Sequence, residues 1–489
     1  MALRTRARDA GGLESGAMAL KVGLVLVALV LASVAAVGLG LIPTGGHHHP
    51  VAGLPSDVPP PSGPGLILHA PPPAPTVLAE AASSPPVSVP RLKRHLANVL
   101  TLPGLGKHLA FAVSQLGDPA ARWAYGAPSA TPASTLKLLT ATAALSVLGP
   151  DHRFTTSVLP GSARGSIVLV GGGDPLLVAA APTAREAAGM YPQPASLEDL
   201  ATATAARLAI EGARRVRLGY DASLFSGPAV NPRWPTTYVS ENIVSPISAL
   251  WVNEGRETAG YAERSANPAL AAAEAFRTQL ANTGIAVAGP IREQDQPPAA
   301  RAPVAEVTSA PLEQIVQHIL EVSDNEGAEV LLRQVAIAQG RTGSSVAGVT
   351  AVRSALTALG LDLRGALFYD ASGLSRDDVL PLPLLLDALE AGAAPDHPEL
   401  RGVITGLPVA GFSGSLGYRF DDKAADGLGY VRAKTGTLTG VHALAGFAMT
   451  RTGQALFFVV IADHVPVPKT LEARADLDRI AATLTTCGC

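Results

Sequence analysis

The first 90 residues contain two segments that cannot contribute to a globular core. Residues 22–42 carry no charge, and Ser33 is their one strongly polar side chain. At ~1.5 Å per helical residue this run would be ~30 Å long, which is enough to cross a bilayer. Residues 43–90 are rich in proline with few charges, a composition that favours an extended, semi-rigid linker. The sequence from Arg91 onward has the composition of a folded protein.

The charges around the apolar run predict its orientation. Basic residues precede it, namely Arg4, Arg6, Arg8 and Lys21. The positive-inside rule then places residues 1–21 in the cytoplasm and the body of the protein outside. A cleaved signal peptide is the alternative, because the small residues Ser33 to Ala35 resemble a cleavage site, although the run is long for that. We therefore expect a single-pass membrane anchor at 22–42 with an extracytoplasmic body, or a secreted protein in the alternative.

Length and composition narrow the function classes. The chain has 489 residues and 47% hydrophobic residues, enough for two or three domains at ~150 residues each. The net charge is −3 without a basic stripe, so no nucleic-acid partner is expected. Outside the linker tract His47 to His49, no histidine falls in a recognisable ligand spacing, so no metal or cofactor is expected. Cys487 and Cys489 are predicted to lie in a disordered tail, with a metal pair or a local disulfide as alternatives.

The pattern of elements predicts an α+β fold. Early helical and strand signals precede a late run of strands and a final helix. Turn residues separate the late strands, so they are predicted to form an antiparallel meander. The predicted elements are a strand from Phe111 with a hairpin partner at Arg122 to Tyr125, helices at Ser134–Leu148, Ala184–Ala213 and Leu312–Gln339, a strand at Ile167–Val170, strands at Gly429–Leu438, His442–Met449 and Ala455–Ala462, and a helix at Leu471–Leu484.

The first candidate signature is Ser134 with Lys137 at a predicted helix start. Side chains three residues apart share one face of a helix, and the helix start offers unpaired N–H groups that suit a nucleophile whose attack creates an oxyanion. Serine needs a neighbour to take its proton, and lysine can do this only if burial or another cation lowers its pKa. Just seven of the 37 Lys+Arg residues are lysines, and only one Ser-x-x-Lys match occurs. An ordinary helix cap with a solvated lysine is the alternative.

The second signature, Ser-x-Asn, is ambiguous by itself. It occurs at Ser240 to Asn242, Ser265 to Asn267 and Ser323 to Asn325. We favour the third, because it interrupts two helical stretches, and a turn between packed helices can project Ser323 and Asn325 into a cleft. The pattern at 265–267 runs into Pro268 and is typical of a loop, whereas the pattern at 240–242 stays in reserve. A helix-capping turn is the structural alternative.

The third signature is Lys434, Thr435, Gly436 and Thr437 in a predicted strand. Gly436 has no side chain, so a substrate backbone could approach closely there. Lys434 offers a positive charge for a carboxylate. The threonine hydroxyls add donors, and the N–H of Thr437 could complete an oxyanion hole. An edge strand with a protective lysine is the alternative.

In this order the three signatures resemble the active site of the D-alanyl-D-alanine carboxypeptidase/endopeptidase family, the class C low-molecular-mass penicillin-binding proteins. The resemblance covers residues 91–485. The matching stretches are Pro132 to Thr140, Gly171 to Leu176, Ser248 to Leu250 followed by Asn253 to Gly255, Asp370 to Arg376, and Arg432 to Thr437.

The resemblance implies a role for each signature residue. Ser134 would be the acylated nucleophile and Lys137 its general base. Ser323 would relay protons, and Asn325 would hold the acyl-peptide. Lys434 to Thr437 would bind the substrate, with Lys434 on its carboxylate and the N–H groups of Ser134 and Thr437 in the oxyanion hole. Two acidic residues in the matching stretches, Asp174 and Asp370, are expected in a turn and in the cleft wall, outside the reacting groups.

The resemblance also implies a domain plan. The family has a transpeptidase/β-lactamase-like catalytic domain, an antiparallel sheet flanked by helices, with auxiliary domains inserted between the first two signatures. The long separation of Ser134 from Ser323 is consistent with such an insertion. We assign residues 91–155 and 310–489 to the catalytic domain and residues 156–309 to the insertion.

The implied activity is that of a serine-type D-Ala-D-Ala carboxypeptidase or DD-endopeptidase. It would act on peptidoglycan stem peptides through an acyl-enzyme on Ser134, without a metal or cofactor, and β-lactams would be covalent inhibitors. One alternative is a serine β-lactamase, against which the large insertion argues. The other is a non-catalytic protein that binds cell wall or senses β-lactams, against which the three intact signatures argue.

Overall fold

The computed structural model describes residues 86–294 and 302–489, all within a compact unit that spans Ala79–Cys489. The described helices are α1 Val89–Leu96, α2 Lys137–Leu148, α3 Ala184–Ala187, α4 Leu197–Ile210, α5 Pro268–Asn282, α6 Leu312–Val322, α7 Asn325–Ala338, α8 Ser345–Ala358, α9 Leu382–Ala393, α10 Gly402–Thr405 and α11 Thr470–Thr485. The described strands are β1 Leu109–Gln115, β2 Asp118–Gly126, β3 Ser129–Ala130, β4 Thr155–Pro160, β5 Ser166–Val170, β6 Arg215–Asp221, β7 Ala286–Val287, β8 Arg292–Glu293, β9 Ala305–Thr308, β10 Leu380–Pro381, β11 Val431–Leu438, β12 Val441–Met449 and β13 Ala455–Ala462.

A five-stranded antiparallel sheet joins the two ends of the described chain. Its strand order is β11-β12-β13-β1-β2, so the predicted late meander is confirmed, and the early hairpin extends it by pairing β1 with β13. Strand β13 is apolar throughout, and successive side chains of a strand point to opposite faces. Phe457, Val459 and Ile461 enter the core shared with α2 and α9, whereas Phe458 and Val460 enter the core shared with α1 and α11. Helices therefore cover both faces of this sheet.

Helix α2 lies inside the larger of these two cores. All of its residues from Lys137 to Leu145 are buried, and a helix that is apolar on every side belongs in an interior rather than at a surface. It packs against α7, α8 and α9. The first signature is therefore held by an element that water does not reach.

A second sheet uses only residues between 155 and 308. Its order is β7-β6-β5-β4-β9, with β8 also paired to β6. The pairing is mixed, because β5 and β6 run parallel while β4 is antiparallel to both β5 and β9. Helices α4 and α5 cover it and share a separate apolar core with it. The α+β class predicted from the sequence is confirmed.

Three sequence predictions need correction or lie outside the described chain. The linker was predicted to end at residue 90, but Val87 is buried and the N–H of Ser88 donates to the carbonyl of Cys489 at 2.8 Å. Pro90 belongs to the first turn of α1, where its missing N–H costs nothing. The predicted anchor at 22–42 and the histidine tract at 47–49 lie outside the described residues. In the part of the chain that the structure describes, no helix is long and apolar enough to span a bilayer.

One further prediction about local structure was wrong, and another is refined by the structure. The prediction of a disordered C-terminal tail was wrong, because Cys487 is buried in the core beside α11 and forms a disulfide with Cys489. The mainly helical stretch predicted at 184–213 consists of two helices, α3 and α4, with a break between them. Gly189, Pro192 and Pro194 lie in the break, and proline removes the donor that a continuing helix needs.

Candidate active site

The nucleophile turn is tighter than the predicted helix start. Ser134 lies in a 3-10 turn, Ala133–Leu136, that leads into α2. Ala133 has a left-handed backbone, with φ of 46°, which is uncommon for a residue with a side chain. Gly373 packs directly behind this turn, because a Cβ on it would lie 1.9 Å from the carbonyl oxygen of Ala133. The loop from 370 to 376 therefore supports the nucleophile turn through a contact that only glycine permits.

Lys137 is wholly buried beside Ser134. Its Nζ lies 3.0 Å from Ser134 Oγ, 2.8 Å from Asn325 Oδ1 and 2.8 Å from the carbonyl oxygen of Ser372. Burial lowers the pKa of Lys137 to about 8, while the charges of Asp324 and Asp370 oppose that shift. An amine with a pKa near ambient pH can both accept and return a proton. From the sequence, this lysine needed burial or another cation to lower its pKa, and burial is what the structure provides.

The second signature lies between two helices, as predicted. Helix α6 ends at Val322, Ser323 adopts a left-handed backbone with φ of 65°, and Asp324 caps α7 by accepting from the N–H of Gly327. The turn brings Ser323 and Asn325 to the first signature from far along the chain. In the other two Ser-x-Asn patterns, Ser240 donates to the carbonyl of Thr237 and Asn267 caps α5, although Glu241 of the first of them lines the same cavity as Ser134.

The lysine of the third signature lies inside the protein rather than on the cavity wall. Lys434 is fully buried, and its Nζ donates to Ser323 Oγ at 2.8 Å and to the carbonyl oxygen of Thr435 at 2.9 Å. Burial, and then the charge of Lys137, holds the pKa of Lys434 well below its ordinary value. Its direct partner within the cleft is therefore the serine of the second signature.

Gly436 serves packing rather than substrate approach, which corrects the sequence prediction. A Cβ at this position would lie 2.8 Å from the carbonyl oxygen of Pro132 and 2.9 Å from Ala443 Cβ. Protein atoms of the nucleophile turn therefore fill the space that was predicted for substrate. Strand β11 lies at the edge of its sheet. Because Gly436 has no side chain, this strand packs closely against the turn that carries Ser134.

The three signatures line one cavity of about 670 Å³. Ser134, Ser323, Asn325, Thr435 and Thr437 all contribute to its wall. The structure therefore brings together side chains from three distant parts of the chain. Cations that the sequence did not single out also line this cavity, namely Arg376, Arg419 and Arg474.

These three arginines differ in their partners. Arg419 forms a two-pronged ion pair with Asp478, and Arg376 donates to the carbonyl oxygen of Thr439. Arg474 has no ion pair among the described residues, and burial lowers its pKa. Arg376 has no ion pair there either, so Arg474 differs from it in donating no side-chain hydrogen bond within the described part of the chain. No motif of the sequence marked it, because it lies on the final helix, far from all three signatures.

A network of buried carboxylates holds the loop that contacts Lys137. Glu329 Oε1 accepts from the N–H groups of Ala371 and Ser372 and from the Ser372 hydroxyl. Asp370 accepts from the N–H groups of Gly373 and Ser375 and from the indole of Trp234. Burial raises the pKa of Glu329 to about 7. Glu329 lies one helical turn after Asn325 on α7. This spacing could have identified it from the sequence, but it was not used.

The two acidic residues that we set aside are structural in their contacts. Asp370 braces the loop just described. Asp174 follows β5 in a turn, accepts from the N–H of Leu176, and is buried enough that its pKa is raised to about 7. Neither lines the cavity that contains Ser134.

Comparison with known proteins was made at the levels of family, sequence and fold. The model of the family described as "D-Ala-D-Ala carboxypeptidase 3 (S13) family" matches residues 92–263 and 256–484. The chain is 36% identical over 481 residues to Carboxypeptidase DacB of Mycolicibacterium smegmatis, covering 96% of this chain and 97% of that one. It is 31% identical to a D-alanyl-D-alanine carboxypeptidase of an Actinomadura species, covering 71% and 76%.

Among solved structures, penicillin binding protein 4 from Haemophilus influenzae has a similar fold. The TM-score is 0.64 at 22% sequence identity, with 81% of this chain and 98% of that chain covered. This likeness concerns the fold alone.

Proposed function

The chain belongs to the D-Ala-D-Ala carboxypeptidase 3 (S13) family, and from this we infer that it is a serine-type D-Ala-D-Ala carboxypeptidase acting on peptidoglycan stem peptides. The observation that carries the inference is the fully buried Lys137, whose Nζ lies 3.0 Å from Ser134 Oγ. That contact gives a serine hydroxyl a neighbouring amine with a pKa of about 8. Cleavage of a peptide crosslink at the same D-Ala carbonyl would follow the same mechanism and would make the protein an endopeptidase.

We propose that acylation begins with proton transfer from Ser134 to neutral Lys137. Ser134 Oγ attacks the carbonyl carbon of the penultimate D-Ala, and the N–H groups of Ser134 and Thr437 receive the oxyanion. The tetrahedral intermediate collapses with cleavage of the C–N bond. The amine of the terminal D-Ala takes a proton and leaves, so Ser134 carries the acyl group.

Deacylation reverses the proton path. Water attacks the acyl carbon as neutral Lys137 accepts its proton, and Lys137 returns that proton to the Ser134 oxygen as the ester C–O bond breaks and the shortened peptide leaves as a carboxylic acid. Asn325 Oδ1 is bonded to Lys137, and Ser323 Oγ is bonded to Lys434. We propose that Ser323 passes protons between the two lysines and the leaving amine, and that Asn325 orients Lys137 and contacts the acyl-peptide.

The substrate carboxylate has a different partner in this proposal from the one that the sequence suggested. Lys434 contributes its charge through Ser323 and is not itself on the cavity wall. The hydroxyls of Thr435 and Thr437 and the guanidinium of Arg474 do line the cavity. We propose that this group binds the terminal carboxylate of the peptide, or the carboxylate of a β-lactam that acylates Ser134.

The domain plan and cellular location follow as proposals from the sequence. Residues 91–155 and 310–489 would form the catalytic domain and 156–309 the inserted auxiliary domain, in line with the separate core of the second sheet. Residues 22–42 would anchor the chain in the cell membrane, with the linker holding the catalytic cleft outside. The mass of the mature protein tests the anchor, because signal cleavage would remove the first residues.

The activity is tested with the full chain, a fluorescent penicillin and muropeptides. We expect one covalent label, and we expect pentapeptide muropeptides to lose the mass of one D-alanine. Ser134→Ala should abolish both, whereas the matched Ser240→Ala, at an exposed serine of a reserve motif, should retain both. Labelling of Ser134→Ala at another serine would contradict the assignment, and turnover of muropeptide by that variant would contradict the mechanism.

A further inference from the structure

A second group of chemically competent side chains lies beside the catalytic turn. Glu254, His318 and Asp324 come from three separate parts of the chain, and a ligand atom from each lies within 4.8 Å of the others. Glu254 belongs to a short turn, 253–255, and His318 lies on α6. Asp324 is the middle residue of the second signature, between Ser323 and Asn325. No role in the reaction proposed above uses these three side chains.

Asp324 leaves a buried oxygen without a partner. The residue is 7% exposed, its Oδ1 accepts from the N–H of Gly327, and its Oδ2 has no hydrogen bond. An unpaired carboxylate oxygen removed from water is costly unless a proton or a cation compensates it. The site therefore calls for positive charge at Oδ2.

The other two side chains can also supply a lone pair. Glu254 Oε2 accepts from Arg256 at 2.9 Å, and its second oxygen has no hydrogen bond within the described part of the chain. The His318 ring likewise has no hydrogen bond within the described part of the chain. A neutral imidazole has a free nitrogen lone pair, which is the form that binds metal.

A cavity of about 450 Å³ gives solvent access to this group. Glu254 and His318 line it together with Glu321, Val322 and Tyr191, whereas Asp324 lies behind them and is not part of its lining. It shares no lining residue with the cavity that contains Ser134. The turn from 322 to 325 separates the two, since Ser323 and Asn325 face the catalytic cavity and Val322 lines the other.

We propose that Glu254, His318 and Asp324 bind one divalent transition-metal ion, with Zn²⁺ as the best match. One imidazole and two carboxylates are ligands that Zn²⁺ takes in proteins, and three such ligands leave a position for water. Mg²⁺ and Ca²⁺ prefer oxygen ligands alone, so the imidazole favours a transition metal. The ion joins the 253–255 turn to the turn that carries Ser323 and Asn325. It is a positioning device for the second signature and takes no part in bond cleavage.

The test uses the full chain after treatment with a chelator and its removal. Residues His47, His48 and His49 are first replaced by alanine, because they offer a competing cluster of imidazoles. Zn²⁺ is titrated by calorimetry, and bound metal is counted by elemental analysis after desalting. We expect one Zn²⁺ per chain, and we expect His318→Ala to weaken binding by more than ~100-fold, beyond what loss of an outer hydrogen-bond partner costs. Co²⁺ should give a visible absorption band that His318→Ala removes.

His108→Ala is the matched control. His108, Asp463 and His464 form the other close group of this kind among the described residues, but His108 is already bonded to Asp463. We expect this variant to keep one Zn²⁺ at unchanged affinity. Circular dichroism and penicillin labelling show whether His318→Ala is folded, and Glu254→Gln supplies a second weakened variant. Failure of the background protein to bind Zn²⁺, equal binding by folded His318→Ala, or loss of binding in His108→Ala instead would each overturn the proposal.

Discussion

The helical side and the strand side of the catalytic cleft each bury a lysine, with different consequences. Lys137 lies on the helical side, where Asp324, Asp370 and Glu329 oppose the effect of burial and its pKa settles at about 8. Lys434 lies on the strand side, where burial and the charge of Lys137 both lower its pKa. Nearby carboxylates thus give different pKa values to two lysines that are equally buried.

The difference in pKa favours different roles for the two amines. A general base is most effective when its pKa lies near the operating pH, which Lys137 satisfies. Lys434 has its pKa well below the ordinary value, and an anionic substrate entering the cleft would raise it again. Substrate binding would therefore favour the charged form of Lys434 at the moment when a positive charge beside Ser323 is useful.

The largest expected effect is that of removing the amine on the helical side. Lys137→Met keeps the length of the side chain but cannot accept a proton, so acylation by penicillin should slow by ~10²- to 10⁴-fold, the range for loss of a general base. Stopped-flow labelling measures the rate. Lys423→Met, at an exposed lysine, is the control and should not change it. An unaltered rate in Lys137→Met would show that Lys137 is not the general base and contributes only to packing.

Removing the amine on the strand side should have a smaller effect. Lys434→Met leaves Ser323 Oγ without its donor, so we expect acylation to slow by ~10²-fold, the scale of losing one well-placed donor in an active site. The same stopped-flow measurement applies. If Lys434→Met slowed acylation more than Lys137→Met did, Lys434 would be the better candidate for the base, and the contrast would be reversed.

A third variant tests whether carboxylates tune the helical side. Lys137 must be neutral to accept a proton, so the acylation rate should rise with pH through about 8. Ionised Glu329 raises the pKa of Lys137, so Glu329→Gln should move this rise to lower pH, by less than about one unit. Because the pKa of Glu329 is itself about 7, the difference should be largest above pH 7.

The matched control for this pH profile is Glu390→Gln on α9. Glu390 pairs with Arg122 and is not among the charges that shift the pKa of Lys137, so the profile of this variant should match that of the unmodified chain. A shift to higher pH in Glu329→Gln would show that the carboxylate acts on Lys137 only by holding Ser372 in place.

The smallest expected effect lies in the second sheet. Arg217 is exposed on β6, and its guanidinium donates to the carbonyl oxygen of Arg164. Arg217→Ala should leave the acylation rate unchanged and alter the free energy of unfolding by no more than ~0.5 kcal/mol, as is usual for surface substitutions. Thermal melts and penicillin labelling check this. A large loss of acylation would mean that the second sheet influences the cleft.

Local sequence patterns predicted most elements because their signals are local. Helix α6 ends at Val322, where the Ser-x-Asn pattern was predicted to interrupt the helical stretch, and the three late strands begin and end within two residues of their predicted bounds. The errors came where a distant contact overrides composition. Pro90 and Cys489 looked like linker and tail, but Ser88 and Cys489 bond to each other across almost the whole described chain.

The sequence by itself identified the residues that meet in the cleft, because each signature sits on an element whose formation depends on its neighbours in the chain. It could not say what surrounds them. The carbonyl of Ser372, which receives Lys137, comes from 235 residues away, and Gly373 and Gly436 are required by atoms of the nucleophile turn. The pKa of each lysine depends on how much water and which charges lie around it. Only the tertiary structure sets these surroundings, so it alone gave the two lysines their different pKa values and showed that Lys434 is the buried partner of Ser323.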